Sequence, residues 1–179
     1  MDDPFRNRPK LRELYEPLVG SSMLELGGKQ DAGRVYKPYF EALGFRHVSV
    51  DWNGQDGALK RDLREPLGLG TFDMVSNIGT TEHVDRQEPV WRNICEAMHV
   101  GSVLVSTTPI KGDWWWHGDW YPSDEFYRDL AVLNGLQVDR LYLAGVAPRR
   151  MWFARMTRIE PMSFRMPVGG IYRNVRRAP

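Results

Sequence analysis

Apolar positions along the chain change their period several times, and each change marks an element. In KLRELYEPLV, residues 10–19, Leu11, Leu14, Tyr15 and Leu18 recur at helical spacing with Gly20 as a stop, which predicts a short helix covering one end of a sheet. SSMLELGG, residues 21–28, is a compact apolar run closed by paired glycines, the pattern of a buried strand ending in a tight turn. Val35, Tyr36, Tyr39, Phe40 and Leu43 share one helical face. Pro38 fits only the first turn of that helix, because it lacks the amide hydrogen that an interior position needs. Beyond Gly44, Val48 and Val50 alternate as a strand leading to Asp51. Strand, helix and strand in so short a span predict a right-handed βαβ unit.

The alternation continues. A short strand is expected around Ala58 and Leu59, a longer one over FDMVSNIG (72–79), a helix over PVWRNICEAM (89–98) and a strand over VLVST (103–107). Residues 123–134 read as a helix with Ser123 as N-cap, acidic residues in the first turn and Gly135 at the end. Two more strands, 136–146 and 150–159, are joined by a turn at Ala147–Arg149 that is short enough to require an antiparallel pair. The expected fold is α/β, a Rossmann-like doubly wound sheet of about seven strands, mostly parallel with an antiparallel last strand, with helices on both faces. Residues 1–160 are expected to form one domain with an N-terminal helix. Residues 161–179 are expected to form a tail rich in Arg, Pro and Gly.

Composition narrows the setting. The 179 residues suit one domain with a real core, and 42% hydrophobic with 26% charged residues is ordinary for a globular protein. Twenty-four basic against 23 acidic side chains leave a formal charge of +1, so no global field favours nucleic acid or an anionic membrane. Arg173, Arg176 and Arg177 near the end read as a solvated terminus. Cys95 is the only cysteine, which excludes an intrachain disulfide and a cysteine zinc cluster and suits a reducing, cytoplasmic location. No apolar run approaches the ~20 residues of a membrane span.

An open doubly wound sheet binds ligands beyond the carboxyl ends of its strands. Glu25, Gly27 and Gly28 fall there after the first strand, Asp51 with Trp52 after the second, Asp62 with Leu63 after the third, and Asn77, Gly79, Glu82 and His83 after the fourth. In the runs LELGG, VSVDWNG, RDLREPL, FDMVSNIGTTEHV and VGSVLVSTTP, residues 21 to about 158 resemble the class I S-adenosylmethionine-dependent methyltransferase family. The resemblance implies a seven-stranded sheet and S-adenosylmethionine as cofactor. It implies close backbone approach to the cofactor at Gly27 and Gly28, ribose hydroxyls on Asp51, and adenine near Asp62 and Leu63. Glu25, Trp52 and Asn77 complete the expected cofactor set. The usual acid-x-Gly-x-Gly-x-Gly turn reads here Glu25-Leu26-Gly27-Gly28-Lys29-Gln30-Asp31-Ala32-Gly33, with Lys29 placed to favour a carboxylate.

On the acceptor side, His83 is a candidate base with Glu82 beside it, or the pair begins the next helix and packs on the sheet. Trp114, Trp115, Trp116, His117 and Trp120 lie between Pro109 and Tyr121. They form either a lid over a planar or sugar acceptor, or rings folded onto the sheet edge or into a homodimer contact. His47, His83, His99 and His117 form no ligand-spaced cluster, so no metal is expected. The expected function is S-adenosylmethionine-dependent methyl transfer to a small-molecule acceptor, a hydroxyl-bearing compound or sugar, with neither nucleic acid nor membrane as partner. Two alternatives stay open. One is a non-catalytic assembly subunit that uses the tryptophan loop as an interface. The other is a nicotinamide-dependent oxidoreductase, which the missing G-x-G-x-x-G disfavours.

Overall fold

The computed structural model describes residues 3–28, 35–114 and 117–173. In chain order the strands are β1 (Ser22–Leu26), β2 (Arg46–Asp51), β3 (Leu59–Lys60), β4 (Phe72–Ile78), β5 (Met98–Pro109), β6 (Trp120–Pro122), β7 (Leu136–Ala144), β8 (Met151–Arg158) and β9 (Ile171–Arg173). The helices are α1 (Pro9–Tyr15), α2 (Lys37–Ala42), α3 (Gln87–Glu96) and α4 (Asp124–Leu133). Seven strands make one sheet in the order β3-β2-β1-β4-β5-β8-β7, and β6 pairs with β9 apart from it. Neighbours from β3 to β5 are parallel, and β8 runs antiparallel between β5 and β7. The expected sheet is therefore present, with its antiparallel strand inserted one place in from the edge.

The period of two along each strand divides the apolar residues between two cores. Leu24 and Leu26 of β1, Val75 of β4 and Leu104 of β5 face α3 and α4, where Trp91, Ile94, Phe126, Tyr127 and Leu130 are buried. Met23, Met74, Val103 and Val105 face the other way, against Leu11, Leu14 and Tyr15 of α1 and Phe40 of α2. Each fully buried large apolar side chain contributes roughly 1.5 to 3 kcal/mol. Phe5 anchors the N-terminal segment in the second core, with its ring 5.1 Å from that of Tyr15 and 5.4 Å from that of Tyr36.

The boundaries follow the expected chemistry. Ser123 Oγ accepts from the Phe126 amide at 3.2 Å and caps α4, while α2 carries its proline in the first turn. The crossovers from β2 to β3 and from β3 to β4 contain no helix. The second is held by one buried side chain. Asn93 Nδ2 donates to the Leu63 and Glu65 carbonyls at 2.9 Å each, and its Oδ1 accepts from the Leu67 amide at 3.1 Å. Backbone groups that a helix would have satisfied internally find their partners there.

Within the expected tail, residues 161–173 pack onto the domain. Phe164, Met166 and Ile171 lie against the first core. The Arg165 amide and carbonyl bond the Asn134 side chain. The buried Arg158 guanidinium joins the carbonyl of Cys95 near the end of α3 to that of Met162. β9 then pairs with β6.

Candidate active site

The strand order reverses between β1 and β4, which opens a crevice at their carboxyl ends. A cleft of about 780 Å³ lies there, lined by Gly27, Asp51, Trp52, Asp62, Leu63, Arg64, Gly79, Thr80 and His83 among others. Gly27 has φ +88°, in the left-handed region that favours glycine. Its amide donates to the Val50 carbonyl at 2.8 Å. The Gly28 amide donates to Asp51 Oδ2 at 2.8 Å. A Cβ at Gly28 would stand 3.1 Å from the Ala58 Cβ and 3.3 Å from the Gln55 carbonyl. Asp51 Oδ1 accepts from the Asn53 amide at 3.2 Å, so this carboxylate ties the first two turns together and keeps lone pairs facing the cleft.

Other expected cofactor residues are placed differently. Glu25 alternates into the α1 and α2 side of the sheet, fully buried, with Oε2 3.3 Å from His47 Nε2. It is not on the cleft wall. Burial and then the Lys37 ammonium push His47 down to about 4, so its imidazole is neutral at neutral pH. Asn77 is likewise interior: its Oδ1 accepts from the Thr81 amide, and Nδ2 donates to Thr81 Oγ1 and Ser106 Oγ. With both amide hydrogens engaged inside the fold, Asn77 organises the turn after β4. Asp62 lines the cleft, but Arg64 holds its carboxylate through contacts of 2.7 to 3.0 Å. Those hydrogen bonds bring it down to about 2. Leu63 is buried at the cleft wall, and Trp52 is 79% exposed. Lys29 and the rest of 29–34 lie outside the described residues.

A second cleft of about 510 Å³ adjoins the first and shares Gly79 and His83 with it. Glu82, Thr107, Trp114, His117, Met151 and Phe153 contribute one side, and residues 7–11 the other. The turn Thr81–His83 leaves β4 so that Glu82 points inward and His83 outward. The Asp119 amide donates to the Glu82 carbonyl at 2.6 Å, and His117 Nε2 stands 3.6 Å from Glu82 Oε1. The His83 and His117 rings meet edge to face at 4.7 Å. Folding thus assembles Glu82, His83 and His117, their ligand atoms within 4.8 Å of one another. This corrects the expectation that the histidines gather into no cluster.

The tryptophan loop is tied down in its described part. Trp114 has φ +54° and donates its indole hydrogen to the Arg150 carbonyl at 2.9 Å. The neighbouring Asp113 pairs with the Arg150 guanidinium at 2.9 Å. Trp114 and His117 face the second cleft, whereas Trp120 does not line it. The Trp120 indole donates to the Asp85 carbonyl at 3.1 Å, and the Arg173 guanidinium lies 6.0 Å over its ring. Trp115 and Trp116 lie outside the described residues.

Sequence reasoning missed Arg64, which clamps Asp62, and the part played by Asn7, Arg8 and Lys10 in the second cleft. The basic run ahead of Pro9 was the available signal for the latter. Thr107, Met151 and Phe153 carried none, because only the pairing of β5 with β8 brings them to this end of the sheet.

This fold is that of the class I S-adenosylmethionine-dependent methyltransferases. No protein-family model matches the chain, and no curated protein matches it. Among solved structures, the N-methyltransferase NodS from Bradyrhizobium japonicum is similar with a TM-score of 0.65 at 16% identity, over 89% of this chain and 99% of that one. The 1,6-didemethyltoxoflavin-N1-methyltransferase of Burkholderia thailandensis, bound to 1,6-didemethyltoxoflavin and S-adenosylhomocysteine, gives 0.62 at 14% identity, over 86% and 78%. A TehB-like S-adenosylmethionine-dependent methyltransferase from Corynebacterium glutamicum gives 0.59 at 18% identity, over 83% and 85%.

Proposed function

We propose that this chain is an S-adenosylmethionine-dependent methyltransferase acting on a small-molecule acceptor. The observation that carries the reading is the pair of clefts that meet at Gly79 and His83. A donor in the first and an acceptor in the second would face each other across that shared wall.

The first cleft fits the donor. The turn at Gly27 and Gly28 is a cradle that a side chain at Gly28 would crowd, and Asp51 offers carboxylate oxygens to paired hydroxyls. When bound, S-adenosylmethionine supplies a methyl group activated by its sulfonium charge. The protein's own contribution is alignment and exclusion of water. Gly27, Gly28 and Asp51 hold the donor. Leu63 and Trp52 offer apolar surface to a planar ring, and Asp62 acts mainly through its backbone, since Arg64 occupies the carboxylate. Trp114 and Phe153 give the acceptor an apolar wall. Glu82, His83 and His117 form the polar end, where the acceptor's attacking atom gives up its proton. Three of the similar structures contain S-adenosylhomocysteine, and a small acceptor suits a second cleft of about 510 Å³.

Calorimetric titration with S-adenosylmethionine and S-adenosylhomocysteine tests this reading. Micromolar binding of both is expected. Binding of neither overturns it and leaves the fold serving as a non-catalytic subunit.

A further inference from the structure

Glu82 presents an electrostatic problem. Its side chain is completely buried, and neither carboxylate oxygen accepts a hydrogen bond from any described residue. A buried carboxylate without hydrogen bonds or a countercharge is costly, on the order of several kcal/mol. The contact with His117 at 3.6 Å is longer than a hydrogen bond. Gly79 and Gly118 enclose the group: a Cβ at Gly79 would meet Glu82 Oε1 at 3.3 Å, and one at Gly118 would meet Glu82 Cγ at 2.8 Å. The carboxylate is therefore held in one place, aimed at the two imidazoles on the wall of the second cleft.

We propose that Glu82, His83 and His117 bind a divalent transition-metal ion, and that the ion holds the acceptor through an oxygen atom. This rests on the methyltransferase reading for its purpose, though not for its geometry. Two imidazoles and one carboxylate suit Zn²⁺, Fe²⁺, Co²⁺ and neighbouring ions. Three protein ligands leave open positions for a substrate, as at catalytic rather than structural sites. With metal–ligand bonds of about 2.1 Å, ligand atoms in a tetrahedral site lie roughly 3.4 Å apart. The observed ligand atoms lie within 4.8 Å of one another, with His117 Nε2 3.6 Å from Glu82 Oε1, so the three side chains would draw slightly closer around the ion. The cluster stands beside Gly79, which with His83 lines both clefts.

The ion would change the chemistry of the acceptor end. An acceptor hydroxyl bound to such an ion would lose its proton to solvent more readily, as metal-bound water does. The oxygen keeps the O–H electron pair and becomes the nucleophile, with no oxidant or reductant involved. His83 then serves as a ligand, in place of the free base expected from the sequence. The acceptor class follows: a small molecule bearing a hydroxyl or a chelating oxygen pair.

The test uses the full chain stripped with a chelator and titrated with Co²⁺, followed by its visible ligand-field absorbance and by calorimetry. Binding in the micromolar range is expected, weakened more than tenfold in Glu82→Gln and in His117→Ala. The half-exposed His117 provides the deciding variant if Glu82→Gln does not fold. S-adenosylhomocysteine affinity, measured on the same samples, is expected to stay unchanged and reports an intact first cleft. Cobalt binding only at millimolar concentration, or equal binding by the variants, overturns the metal site. Retained S-adenosylhomocysteine binding in that case leaves the methyltransferase reading standing. Cobalt binding without any S-adenosylhomocysteine binding has the opposite meaning.

Discussion

At the scale of single residues, Asp51 and His47 show how position on a strand decides between ligand and interior. Asp51 ends β2 at the cleft, where its oxygens already accept from the Gly28 and Asn53 amides. On the proposed placement of the ribose, Asp51→Ala is expected to weaken S-adenosylhomocysteine binding by about 1 to 3 kcal/mol, checked by calorimetry, because the ribose hydroxyls would lose an acceptor and the two turns lose their tie. His47 lies inside on the same strand, with a pKa of about 4 against 6.5 for a free histidine. Between those values the unfolded chain binds more protons than the folded one, so stability rises with pH across that window and is lost as pH falls through it. The displacement corresponds to roughly 3 kcal/mol. Urea unfolding across pH 4 to 7 should show this slope in the native protein and a shallower one in His47→Gln. Glu25 and Asn77 looked like cofactor residues because both stand at strand ends. Strand alternation makes it legible that Glu25 and Leu24 face opposite ways. Which face a helix covers, and that Ser106 lies beside Asn77, depend on packing and register.

At the scale of elements, most of the fold was legible because its punctuation is local. Gly135 has φ +64° and follows the last turn of α4, Ser123 caps the same helix, and the short turn before β8 forces an antiparallel pair. The tail was not legible, since its contacts are to residues distant in sequence and it has no period of its own. Arg158 illustrates this: the sequence shows an arginine ending a strand, while the fold makes it the group that satisfies carbonyls of Cys95 and Met162 together. Deleting residues 161–179 is expected to lower the unfolding temperature by many degrees. It removes Phe164 and Met166 from the core, leaves the Asn134 side chain without its Arg165 partners and takes the partner strand from β6. A deletion variant that melts with the full chain would show these contacts to be inconsequential. The second cleft was the least legible part, because His117 reaches Glu82 and His83 through a loop anchored at Asp113 and Trp114.

At the scale of the whole molecule, the two sides of the sheet are unequally built. From β4 to β7 the strands are long and covered by α3 and α4, with β5 and β8 paired from Val103 through Pro109. At the other edge β3 has two exposed residues, and the chain enters and leaves it without a helix. Few buried apolar contacts hold that margin, so its amide hydrogens are expected to exchange with solvent first, long before those of β4 and β5. The first cleft, proposed above for the donor, is built on this margin, through Asp51, Lys60 and Leu63. S-adenosylhomocysteine should therefore slow deuterium uptake across residues 51–65 while leaving β7 and β8 unaltered. A ligand spanning Asp51 and Leu63 would stand in for the crossover helix that this edge lacks. The donor side of the protein would then become fully structured only in the liganded state, and part of the intrinsic affinity would be consumed in ordering it.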